Sequence, residues 1–120
     1  AESLSFSADG LISEIGGPVD SIDDIAGQYI GLMKFSGKGL AALRDLMAVC
    51  KAGEIVRGRR FENMYMTDLL QALIDRGVAV SPVWTDGRWV EVDSAGDLEL
   101  AEREMKINGT DDAPTFTIDI

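Results

Sequence analysis

Apolar and polar positions alternate at the start of the chain and then change period. Over residues 3–15, Leu4 and Phe6 alternate with serines, Asp9-Gly10 supplies a turn, and residues 11–15 return. That pattern predicts a β-hairpin closed by Gly16-Gly17-Pro18. Residues 21–27 hold Asp23 and Asp24 just after Asp20 and read as a solvated acidic connection or a single helical turn. Residues 29–35 are apolar on both alternating faces, the pattern of a central strand covered on two sides.

From Ser36 the period becomes helical. Leu40, Leu43, Leu46, Met47 and Cys50 share one face of a helix predicted over 37–51, which Ala52-Gly53 closes. A second amphipathic helix is predicted over 64–76. Leu69, Leu70, Leu73 and Ile74 form its core face, and Asp68, Gln71 and Asp75 its outer face. Thr67 or Asn63 is placed to cap it, and Gly77 stops it. Residues 78–84 read as a strand in which Pro82 belongs at an edge, a bulge or the end.

Asp86-Gly87 is a turn signal, and residues 88–92 are β-branched and aromatic enough for a strand. Glu91 and Asp93 lie two apart and share a face. Ser94, with Asp97 three residues on, marks the start of a helix over 95–106 with Leu98, Ala101 and Met105 in register. After Asn108-Gly109 the composition turns polar, and 115–120 alternate as an edge strand or the start of something longer. Helices alternating with strands after residue 28 imply an α/β layered fold. The leading hairpin makes the expected sheet mixed and flanked by helices.

Composition narrows the function. The 120 residues carry 21 acidic and 11 basic side chains, for a net charge of −10. That disfavours broad binding to nucleic acid or an anionic membrane, both of which need a cationic face. A small anionic substrate remains compatible, because a few local cations or a metal outweigh the global field. There is no His, so a bound metal would be a hard, oxygen-liganded ion such as Mg²⁺. Cys50 is the only cysteine, which excludes an intrachain disulfide and reads as a small core residue within a helical pattern. No run approaches the eighteen apolar residues of a membrane span and no signal peptide opens the sequence, so a cytoplasmic location is expected. Arg57, Arg59 and Arg60 cluster around Gly58, either as a charged loop answering the acidic excess or as an anion contact.

Three segments taken together carry a family resemblance. Trp89-Val-Glu-Val-Asp93 followed by Asp97-Leu98 resembles the closing motif of the sugar-nucleotide and choline-phosphate nucleotidyltransferases. Upstream, Gly27-Gln-Tyr-Ile-Gly-Leu-Met-Lys-Phe-Ser36 and Tyr65-Met-Thr-Asp-Leu-Leu-Gln-Ala-Leu-Ile-Asp75 extend it over roughly the first hundred residues. The resemblance implies the C-terminal half of a Rossmann-like nucleotidyltransferase fold over 1–109, with 110–120 as linker and edge strand. It implies a Mg²⁺-dependent transfer of a nucleoside monophosphate from an NTP to a phosphorylated small molecule, with pyrophosphate released.

By position, Asp93 matches the second of the family's two metal-binding aspartates; its plain alternative is a helix cap. Glu91 is an added ligand or an orienting group. Tyr29 and Gly31 match the substrate-side strand, and Tyr65 and Asp68 the helix bordering the acceptor pocket. Gln28 stands where many members carry an acidic residue. Gly17-Pro18 falls near a Lys-Pro of many members, so Arg57, Arg59 or Arg60 is expected to replace that phosphate contact. The family's Gly-rich triphosphate loop has no counterpart here, since Gly37-Lys38-Gly39 is too short and follows the wrong strand. The expectation is therefore an acceptor-binding half, inactive alone and completed by other polypeptide. The competing expectation is a non-catalytic module that self-associates through an exposed sheet edge.

Overall fold

The computed structural model describes residues 2–18, 20–21, 25–85 and 92–108, with backbone alone for 105–108. The described residues up to Val83 form one compact unit, and those from Trp84 belong to a second.

The first unit opens with the expected hairpin, β1 (Glu2–Phe6) and β2 (Ile12–Ile15). Asp9 builds its turn. Its carboxylate accepts from the Leu11 N–H at 3.2 Å and from the Ser7 hydroxyl, and Gly10 takes φ 82°. The Ser7 hydrogen bond, then that of Leu11, holds the Asp9 carboxyl below the usual carboxylate range. A third strand, β3 (Gly27–Tyr29), lies on the other side of β1, giving the order β2-β1-β3. Both pairings are antiparallel, with Leu4 opposite Ile15 on one side and Gly27 on the other. The fold is thus α/β, but the sheet is antiparallel among the described residues rather than mixed.

The missing parallel component has a local cause. The apolar run 29–35 does not continue as a covered strand. Gly31 turns the backbone at φ 88° and Leu32 is 45% exposed. The strand expected over 78–84 is reduced to a single bridge residue at Ser81. Within that stretch Val80 is fully buried, and its carbonyl accepts the Ile12 N–H at 2.9 Å. The turn at Asp86-Gly87, the strand through Glu91 and the tail 109–120 lie outside the described residues.

Helix α1 (Gly37–Lys51) starts where the Ser36 hydroxyl accepts the Gly39 N–H at 3.1 Å. Helix α2 (Met66–Asp75) ends on Gly77 at φ 87°. There the Val78 N–H reaches the Leu73 carbonyl and the Gly77 N–H reaches that of Ile74. This is the left-handed ending that a residue without Cβ adopts at least cost. Neither Thr67 nor Asn63 caps α2. The N-cap residue is Tyr65, whose N–H donates to the Asp68 carboxylate at 2.8 Å.

Helix α2 is packed on both sides. Leu70 joins Leu4, Ile12, Ile15 and Val80 in a core against the sheet. Leu69, Ala72 and Leu73 join Leu46 and Cys50 in a second core against α1. Being covered twice, α2 buries Asp68 and Gln71 as well, to 1% and 7% exposure. The outer polar face expected for these two residues is therefore interior, and only Asp75 of the three is exposed.

In the second unit, α3 (Ala95–Asn108) begins at Ser94, whose hydroxyl accepts the Asp97 N–H at 3.1 Å. The Asp97 carboxylate accepts in return from Asp93, one residue before the cap, at 3.1 Å. Among the described residues no helix is long and apolar enough to cross a membrane.

Candidate functional site

The site is built on a two-residue hairpin between α1 and α2. Val56 and Arg59 exchange both backbone hydrogen bonds, at 3.0 and 2.9 Å, around Arg57 and Gly58. Both central residues have positive φ, 49° for Arg57 and 73° for Gly58. Gly58 takes this shape readily, whereas for an L-residue such as Arg57 it costs roughly 1 kcal/mol or more. The tight reversal aims Arg57 and Arg59 in a direction that an extended loop would not fix.

Buried polar groups of α2 hold both guanidinium groups. Arg59 Nη1 donates to both Asp68 carboxylate oxygens, at 3.1 and 3.2 Å. Its guanidinium also stacks over the Tyr65 ring, 4.9 Å from the centroid. Arg57 Nη2 donates to the Ile15 carbonyl at 2.7 Å and to Gln71 Oε1 at 3.2 Å, and Nη1 lies 3.9 Å from Asp68. Gln71 is the anchor beneath. Its Oε1 accepts the Ile15 N–H at 2.8 Å, and its Nε2 donates to the Ser13 carbonyl at 3.1 Å and to Asp75 at 3.0 Å. One side-chain amide thereby pairs with the outer edge of β2 as a neighbouring strand would. Together with Val80 it occupies much of that outer edge.

These groups border a cavity of about 360 Å³ lined by Glu2, Glu14, Gly16, Gly17, Pro18, Arg57, Arg59, Tyr65, Thr67 and Asp68. The first turn of α2 contributes Tyr65, Thr67 and Asp68, so the positive end of that helix faces the same space. Two guanidinium groups and a helix N-terminus beside Gly17-Pro18 form an arrangement suited to a phosphate.

The structure thus gathers four of the expected site residues, Arg57, Arg59, Tyr65 and Asp68, around one cavity. Arg60 does not line it; it is exposed and leads into the 3₁₀ turn Phe61–Asn63. Tyr29 packs against the sheet-side core, with its hydroxyl 3.9 Å from Met33 Sδ. Burial pushes its phenol pKa up. Gly31 is exposed, with open space where a Cβ would stand. Glu91 lies outside the described residues, and Asp93 is an exposed residue of the second unit. Glu2, Glu14 and Gln71 were not anticipated. Their sequence signal is faint, a polar position in each hairpin strand and a Gln three residues after Asp68 on one helix face.

Among the described residues no three acidic or thiol side chains gather as a metal cage. A Mg²⁺ ion bound in nucleotide chemistry needs no such cage, because it takes one or two protein carboxylates and completes its shell with phosphate oxygens and water. Asp93 is exposed, and its backbone N–H donates to the Asp97 carboxylate.

In comparison with known proteins, the chain is similar to a portion of one nucleotidyltransferase. The relative that carries this match is the CTP:phosphoglutamine cytidylyltransferase of Campylobacter jejuni, 39% identical over 100 residues. The match covers 83% of this chain and 39% of the relative, so the chain spans about two-fifths of the relative's length. No family model and no solved structure matches the chain.

Proposed function

We propose that this chain is the acceptor-binding, C-terminal portion of a Mg²⁺-dependent nucleotidyltransferase. The complete enzyme joins the nucleoside monophosphate of an NTP, taken as CTP from the relative's name, to a phosphorylated small molecule and releases pyrophosphate. The observation that carries the reading is the convergence of Arg57 and Arg59 on Gly17-Pro18 and the start of α2. A phosphate there meets planar donors already oriented by Asp68 and Gln71, so little side-chain ordering remains for binding to supply.

In such a transfer the protein's share is positioning and charge neutralisation. Arg57 and Arg59 bind the acceptor's phosphate, and stacking on the Tyr65 ring holds the Arg59 guanidinium in place. Asp93, with Glu91 beside it in sequence, would hold the metal. When bound, Mg²⁺ neutralises phosphate charge as a Lewis acid. The chain has no Gly-rich triphosphate loop, so nucleotide binding falls to the remaining polypeptide and the 120 residues alone are inactive. A cytoplasmic location, where nucleoside triphosphates are available, goes with this reading.

The test is pyrophosphate release by the complete protein with CTP and phosphorylated acceptors. Release should require both substrates and Mg²⁺. Arg59→Ala should raise the acceptor KM about tenfold or more, the loss of one charge-assisted contact. Asp93→Ala should instead lower kcat by orders of magnitude. Release that ignores the acceptor, or an unchanged acceptor KM in Arg59→Ala, contradicts the assignment.

A further inference from the structure

The cavity holds more hydrogen-bond acceptors than its arginines use. Arg57 and Arg59 line it beside three carboxylates, those of Glu2 on β1, Glu14 on β2 and Asp68 on α2. Asp68 is already engaged. Its oxygens accept Arg59 Nη1 at 3.1 and 3.2 Å and the Tyr65 N–H at 2.8 Å. The Arg57 donors go to Ile15 and Gln71. The Glu2 and Glu14 side chains have no hydrogen-bond or ion-pair partner among the described residues, although both guanidinium groups line the same space.

The backbone leaves room for these two carboxylates at the cavity wall. A β carbon on Gly17 would run into the Glu14 carboxylate. One on Gly16 would run into that of Glu2 and stand 3.8 Å from Arg57 Nη1. Two arginines against three carboxylates leave one negative charge in excess before a ligand arrives. A phosphate monoester is itself an acid, with a second pKa of about 6, so near neutrality it carries between one and two negative charges. Negative neighbours disfavour its second ionisation, and a carboxylate with free lone pairs takes a hydrogen bond from its P–OH. The monoanion also matches the groups on offer. Its two bare oxygens meet the two guanidinium groups, and its one hydroxyl meets a carboxylate. A dianion would have no proton to give and would stand against both glutamates.

We infer that Glu2 and Glu14 make this cavity selective for a phosphate monoester in its singly protonated form. The P–OH donates to one of the two carboxylates, while Arg57 and Arg59 hold the unprotonated oxygens. This rests on the acceptor reading above and adds the ionic form that the site takes. Tetrahedral anions without a proton are rejected on the same ground. A sulfate monoester matches the monoanion in charge and shape but has no hydroxyl, so its third oxygen faces a carboxylate unpaired. The groups that set the field at the phosphate come from β1, β2, the arginine hairpin and α2: Glu2, Glu14, Arg57, Arg59, Tyr65 and Asp68. The proton that titrates is the ligand's own.

The experiment is calorimetric titration of the full 120-residue chain, free of divalent ions, with methyl phosphate and with methyl sulfate at about pH 5.5 and about pH 8. Across that range the singly protonated share of methyl phosphate falls from most of the ligand to about one part in a hundred. Its affinity should fall about thirtyfold or more. At the lower pH it should bind about tenfold tighter than methyl sulfate, or more. The double variant Glu2→Gln, Glu14→Gln should shrink the fall to about threefold or less and tighten methyl sulfate. Titration of any other group of the chain would persist in that variant. Glu14→Gln alone should remove part of the fall, and matching circular dichroism melts show that the variants stay folded. An affinity for methyl phosphate that is level or rises toward pH 8 overturns the inference and leaves the phosphate site standing. Methyl sulfate bound as tightly as methyl phosphate at the lower pH does the same. A fall that survives in both variants takes the proton away from Glu2 and Glu14 and also overturns it. Failure of methyl phosphate to bind at either pH overturns the acceptor reading as well.

Discussion

At the scale of single residues, Arg57 is the most informative. It holds a left-handed backbone that favours Gly, yet its side chain makes three polar approaches, to Ile15, Gln71 and Asp68. Backbone strain and side-chain contacts therefore coincide, and they separate by mutation. Arg57→Gly loses the contacts and relaxes the backbone; Arg57→Ala loses the same contacts and keeps the strain. Chemical denaturation should find the Ala variant less stable than the Gly variant by about 1 kcal/mol, the reverse of the usual order in a loop. Cys50 gives a second residue-scale prediction. Burial first, and Glu54 second, push its thiol pKa above its ordinary value of 9.0. The folded state therefore holds this proton more tightly than the unfolded chain. Its contribution is complete below pH 9 and is lost as pH rises through the raised folded value. The stability gap between the native chain and Cys50→Ala should shrink between pH 8 and pH 11; a constant gap would show a thiol that titrates as it does in the unfolded chain. The arginine cluster was legible in the sequence as a loop or an anion contact. Its aim was not, because positive φ at Arg57 leaves no trace in composition.

At the scale of elements, α2 decides both fold and site. Its limits were readable because Gly77 stops it and its leucines repeat at helical spacing. The buried character of Asp68 and Gln71 was hidden, since helical periodicity cannot distinguish a polar residue facing water from one facing a buried partner. Burial followed from the second layer, when α1 and the sheet covered α2 from two sides. Gln71→Leu keeps the volume and removes both hydrogen bonds to β2. It should cost about 2–4 kcal/mol, because the Ile15 N–H and Ser13 carbonyl are left unpaired in a partly dry seam. Urea unfolding checks this, and a loss below about 1 kcal/mol would show that water reaches that edge. The strands were less legible than the helices. Residues 29–35 and 78–84 have strand-like composition, but pairing needs a neighbour. Gly31 turns one segment away, and the other is held mainly through Val80.

At the scale of the whole molecule, the proposed role is that of a portion that binds and orients one substrate for chemistry completed by other polypeptide. The match to about two-fifths of a cytidylyltransferase is consistent with such a division. The ordered set of segments at Tyr29, Tyr65 and Asp93 made the class readable before the fold was known. The gathering of Gly17, Arg57, Arg59 and Tyr65 needed coordinates, because residues far apart in the chain meet only through β2 and α2. The central claim is that this cavity receives the acceptor's phosphate. The most direct test is ¹⁵N–¹H mapping of the 120-residue chain titrated with methyl phosphate. The account predicts saturable shifts at the amides of Gly16, Gly17, Arg57, Arg59 and Thr67, abolished by Arg59→Ala. Shifts confined to α1 or to the surroundings of Gly31, or shifts that persist unchanged in Arg59→Ala, would contradict it.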